Sequence, residues 1–173
     1  EVYNPATNTL RQLSTASTQN FSFYHLYPWI HSTTTTGKVF YSGPNVNMAY
    51  LDTRNTGTWS SLFNRGASQG RRYGSSVMYN PNRLLIMGGS GNTNTAVTVN
   101  LTGGSIQVTP TGSMNSGRTH LNATVLPNGE VFVNGGNTSG DNFDDATSVY
   151  SGEIWNPNTG LWRLMANADK PRN

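Results

Sequence analysis

Apolar positions in this chain come in short runs, each closed by glycine or by an Asn-rich turn. Three stretches share one shape: "LYPWIHSTTTTGKVFYSGP" (26–44), "RRYGSSVMYNPNRLLIMGG" (71–89) and "RTHLNATVLPNGEVFVNGG" (118–136). Each reads as an apolar or aromatic strand, a polar turn, and a second strand running into glycine. The second strands are Val39-Phe40-Tyr41, Leu84-Leu85-Ile86-Met87 and Val131-Phe132-Val133. The pattern predicts three β-hairpins.

Gly43 to Gly88 is 45 residues and Gly88 to Gly135 is 47, a period that marks propeller blades. A second signature runs out of phase with the first: "EVYNPATNTLRQL" (1–13), "AYLDTRNTGTWSSL" (49–62) and "EIWNPNTGLWRLM" (153–165). Each is a strand, an Asn- or Asp-led turn and another strand, so a blade has four strands. The glycines suit places where inner strands of adjacent blades approach and a side chain would meet the neighbouring backbone. Trp59, Trp155 and Trp162 are predicted to fill the wider space between blades.

Composition agrees with this reading. Charged residues are 11% of the 173, aromatics 10%, and there are nineteen glycines, which suits a turn-rich β protein. No stretch approaches eighteen apolar residues, so no membrane span is expected. The formal charge is +3, but Lys and Arg are scattered and Arg71-Arg72 is the only adjacent pair, so nucleic acid is not expected as a partner. Without cysteine the chain has no disulfide, thiolate metal site or cysteine nucleophile. Sequons at Asn20, Asn100, Asn122 and Asn137 would suit a secreted glycoprotein, although this Asn-, Ser- and Thr-rich composition yields about as many by chance.

Hairpin, glycine pair and late tryptophan at this period resemble kelch repeats. The run "GRRYGSSVMYNPNRLLIMGG", then "GRTHLNATVLPNGEVFVNGG", "NFDDATSVYSGEIWNPNTGLW" and "KPRN" resembles the propeller of the galactose oxidase and glyoxal oxidase group, the radical copper oxidases and their relatives. The fold implied is an all-β, kelch-type β-propeller. Residues 1–173 would make about three to four four-stranded blades of an incomplete six- or seven-bladed ring, which needs about 270–320 residues when whole. A fourth hairpin is expected to start at about residue 172.

The family's Tyr-His pair that supplies copper ligands would follow "KPRN" at once. The resemblance therefore implies that this chain contributes scaffold and substrate rim but no copper ligand, and that copper belongs to the complete protein. Its substrate-facing Tyr-Arg pair matches Tyr27-Pro28, keeping the tyrosine and losing the arginine. That departure points away from galactose and towards a smaller alcohol or aldehyde. A rim phenylalanine matches Phe143 and another rim aromatic matches His120. The tryptophan that shields the radical tyrosine falls at Leu10.

Other constellations are weaker. His25, His31 and His120 do not fall where a metal set is expected. Asp141, Asp144 and Asp145 lack the alternating ligands of a calcium loop. "MGGSGNTNT" (87–95) has no Lys-Ser/Thr of a phosphate cradle. The expected product of the complete protein is hydrogen peroxide from a primary alcohol or aldehyde and dioxygen. The alternative is a non-catalytic propeller for carbohydrate binding, adhesion or assembly. A secreted location is expected in both cases, with the rest of the propeller or another chain covering the open blade edges.

Overall fold

The computed structural model describes residues 1–17, 27–35, 37–67, 69–140 and 145–172, and it is all-β. Strands β1 (Val2–Asn4) and β2 (Thr9–Arg11) form a separate hairpin. The first four-stranded unit follows, with β3 (Trp29–Ser32), β4 (Lys38–Gly43), β5 (Asn47–Asp52) and β6 (Thr58–Trp59). Its outer edge is split, since β7 (Phe63–Asn64) also pairs with β5.

The second unit is β8 (Ser75–Asn80), β9 (Arg83–Met87), β10 (Ala96–Asn100) and β11 (Gln107–Thr111). The third is β12 (Asn122–Val125), β13 (Val131–Asn134), β14 (Ser151–Trp155) and β15 (Trp162–Asn167). Every pairing is antiparallel and, apart from β5 with β7, joins strands adjacent in sequence order. These are propeller blades, and the hairpins expected at 71–89 and 118–136 are the inner strand pairs of two of them.

The sheets stack through side chains that alternate along β9. Leu84 and Ile86 join Phe40, Met48, Val99 and Leu101 in a core between the first and second blades. Leu85 and Met87 face the other way, into a core with Ala96, Met114, Leu121, Val131, Val133 and Trp155 between the second and third. Strand periodicity of two thus builds two interfaces from one strand. Each such side chain contributes roughly 1.5–3 kcal/mol on burial.

The tryptophans close these interfaces with a polar tie as well as a ring. Trp155 Nε1 donates to Thr111 Oγ1 at 3.1 Å, and Trp162 Nε1 donates to the Gly112 carbonyl at 2.7 Å. Trp59, in the place of Trp162 one repeat pair earlier, donates to the Ala16 carbonyl just beyond β2. Each anchors its blade to the end of the preceding one.

Gly88 shows why the repeat needs glycine. Its φ is +64°, and a Cβ there would lie 2.8 Å from the Arg118 carbonyl on the approach to the next blade. Gly135 repeats the geometry against the Arg172 carbonyl, with a Cβ clearance of 2.5 Å. The neighbouring amides use the same carbonyls, Gly89 N donating to Arg118 O at 2.9 Å and Gly136 N to Arg172 O at 2.6 Å. Arg172 therefore occupies the position of Arg118 in the following repeat.

Candidate functional site

Each blade's inner strand is approached through a residue of left-handed backbone. Tyr27, Tyr73 and His120 stand two positions before β3, β8 and β12 and have φ of 56°, 60° and 58°. Bulky side chains are rare in that region, and where the surroundings enforce it the position is a candidate for function. The sequence singled out two of the three. Tyr73 stands at the same spacing before its strand.

Two of these residues come together. The Tyr73 and His120 rings stack at a centroid distance of 4.2 Å with a tilt of 28°, and His120 N donates to the Tyr73 carbonyl at 2.7 Å. The Arg72 guanidinium lies 4.5 Å from the Tyr73 ring centroid and donates from Nη2 to Tyr73 Oη at 2.6 Å. A cation and two flat rings thus gather at one end of the second and third blades, a combination suited to oxygen-rich ligands. Tyr27 is 72% exposed. Phe143 lies outside the described residues, as do His25, Asp141 and Asp144.

Below this surface the framework is held by buried arginines. Arg71 donates to the carbonyls of Gly88 and Thr95 and to Thr95 Oγ1, at 3.0, 2.9 and 2.7 Å. Arg118, at the matching place, donates to the carbonyls of Gly135 and Ser151 and to Glu153 Oε1. Burial pushes both guanidiniums below their ordinary pKa, and Glu153 opposes that shift for Arg118. The Glu153 carboxylate also receives the amides of Asn115 and Ser116, which fixes the loop leading into β12. Neither role was legible from residue type alone.

His31 is engaged by hydroxyls rather than by other titratable groups among the described residues. Its Nε2 is 2.9 Å from Ser76 Oγ and 3.2 Å from Ser42 Oγ, bridging the first and second blades. Burial lowers its pKa to about 4, so it is a neutral imidazole at physiological pH. Among the described residues no three His, Cys, Asp or Glu side chains converge on a common point. No helix among them is long and apolar enough to cross a membrane.

The architecture has solved counterparts. A fungal alcohol oxidase described as showing catalytic diversity among the AA5 family, in complex with copper, superposes with a TM-score of 0.88 at 27% identity, covering 99% of this chain and 38% of its own. Galactose oxidase from Gibberella zeae is 29% identical over 180 residues, covering 91% of this chain and 26% of the relative. The chain is a galactose-oxidase-like propeller segment.

This galactose-oxidase-like segment spans about a quarter of the length of the curated relatives it matches. The structure of YjhT, at 16% identity and a TM-score of 0.61 over 83% of the chain, shares the fold alone. No family model matches the chain. Leu10 on β2 is 65% exposed, and Pro28 follows Tyr27 directly before β3.

Proposed function

We propose that this segment belongs to a secreted copper-radical oxidase that converts a primary alcohol or aldehyde, with dioxygen, into the oxidised product and hydrogen peroxide. The superposition on a copper-bound alcohol oxidase at 27% identity over 99% of the chain carries this reading. In the longer protein, copper would supply the redox chemistry. The role of this chain is to build the propeller wall and to present Tyr27, His120 and Phe143 at the substrate rim, with Tyr73 and Arg72 beside His120.

The repeat supports this position for the rim. Since Arg172 matches Arg118, the place that in the family opens the copper-ligating Tyr-His pair corresponds to Tyr73 and His120 here. The rim residues and the expected ligands therefore share one end of the propeller. The stacked pair offers apolar faces with polar edges, and Pro28 in place of an arginine removes one fork of donors, which favours a small alcohol or aldehyde over a sugar.

The test is peroxide release and copper content of the longer protein carrying the flanking sequence, with the 173-residue chain as comparison. Stoichiometric copper and peroxide only in the longer protein support the reading. A copper-loaded, active 173-residue chain overturns it. Within the active protein, His120→Ala should raise KM about tenfold, near the upper worth of a ring pair, while His120→Phe keeps it within a few-fold.

Exposed Leu10, where the family has a shielding tryptophan, favours a second reading: a non-catalytic propeller used for carbohydrate binding or assembly. Glycan-array binding by a longer protein that neither retains copper nor releases peroxide would support it.

A further inference from the structure

The joint between the first and second blades holds two buried guanidiniums and, among the described residues, no carboxylate bonded to either. Arg65, just beyond β7, is 6% exposed. Its backbone N donates to the Val46 carbonyl at 2.8 Å and its Nη1 to the Asn45 carbonyl at 3.2 Å. Its Nη2 is buried and makes no hydrogen bond. Arg71 lies close enough for its charge to depress the Arg65 pKa, which burial in the first place and then Arg71 bring down to about 10. Both groups remain protonated near neutrality.

The next joint shows what is missing. There Arg118 pairs with Glu153 on β14, opposite Val133. In the second blade the matching place opposite Ile86 is Val97, and Arg71 finds only neutral oxygens. Tyr41 does not replace the acid, because burial pushes its phenol up to about 12 despite the Asn45 backbone and Arg65. Among the described residues, Asp52 is taken by Arg54 and Glu130 by Arg163. A buried guanidinium with an unmet donor is costly, and such a donor points to an ion or water as its partner.

We propose that a small monovalent anion, of the halide or carboxylate class, binds at Arg65 Nη2 between the first two blades and supplies the counter-charge that Glu153 supplies in the next joint. Arg71 adds its field, and its backbone N donates to the Pro44 carbonyl at 2.7 Å. The site belongs to the framework and holds whether or not the longer protein is an oxidase. Its occupant ties the β4–β5 loop to the approach of β8, two residues before Tyr73.

The experiment is thermal unfolding of the chain in sodium chloride, bromide or formate against sodium gluconate at equal ionic strength. Binding to the folded state alone predicts a Tm rise of roughly 3–5 °C for each tenfold increase in anion above half-saturation. Arg65→Met should abolish that dependence. Should this variant fail to fold, bromide soaked into crystals of the unaltered chain gives a second readout, with an anomalous peak expected in hydrogen-bond contact with Arg65 Nη2. A response to chloride but not formate narrows the site to halides. Equal Tm in every salt together with no bromide at Arg65 overturns the proposal, as does a salt response that survives Arg65→Met.

Discussion

Arg118 Nη2 lies 2.7 Å from Glu153 Oε1 with both side chains fully buried, and the pair joins the approach of the third blade to its third strand. Two charges out of water are tolerated here because nearly every polar atom is used: Glu153 also holds the amides of Asn115 and Ser116, and Arg118 also holds two carbonyls. Such a pair fixes geometry more than it adds stability, since desolvation offsets most of the attraction.

Removing one member alone should therefore be worse than removing both. Arg118→Met is expected to cost about 3–5 kcal/mol by leaving a buried carboxylate unpaired, measured by urea unfolding. Arg118→Met combined with Glu153→Leu should cost less than the sum of the two single changes by at least about 1 kcal/mol. Strict additivity would mean that the two side chains are not energetically coupled.

Glycine at the blade approach makes a second prediction. Gly88→Ala places a methyl 2.7 Å from Leu121 Cδ2 and 2.8 Å from the Arg118 carbonyl at φ +64°, so strain and overpacking add to roughly 2–4 kcal/mol. Gly103 has φ +76° but nothing within 4 Å, and Gly103→Ala should cost only about 1 kcal/mol. Equal losses at the two sites would show that backbone conformation alone, and not contact between blades, demands Gly88.

The same contrast explains what was readable beforehand. Gly88 and Gly135 announce themselves because a repeated steric need leaves a repeated residue, and Leu84 to Met87 announce a strand because two buried faces demand a continuous apolar run. The Arg118–Glu153 pair and the Tyr73–His120 stack leave no such mark. They join residues 35 and 47 positions apart, and only the blade geometry decides that they meet. His31 suggests a ligand by residue type alone, whereas its two serine neighbours come from other strands.

Trp155 and Trp162 separate packing from hydrogen bonding at one interface. Trp155 is 1% exposed and Trp162 only partly buried, yet both donate to the second blade. Trp155→Phe is expected to cost about 2–3 kcal/mol through lost volume and the lost bond to Thr111 Oγ1, which keeps its own donation to the Gly160 carbonyl, and Trp162→Phe about 1 kcal/mol, chiefly its hydrogen bond. Chemical denaturation of the two variants checks the order, and a reversed order would mean that the Gly112 tie outweighs ring burial.

His31 links pH to the joint between the first two blades. Its pKa in the fold is about 4 against an ordinary 6.5, through burial, so the unfolded chain binds the proton more readily between those values. Stability from this group is therefore complete above about pH 6.5 and is lost as pH falls towards 4, by about 3 kcal/mol in all. Asp52 and Glu130, held low chiefly by hydrogen bonds from Arg54 and Arg163, lose their contribution in a more acidic window, below the ordinary carboxylate range. Unfolding free energy measured from pH 7 to pH 4 should thus fall before those carboxylates begin to protonate, and His31→Gln, which keeps a neutral polar group facing Ser42 and Ser76, should flatten that stretch. A variant whose profile matches the unaltered chain would assign the slope to other groups.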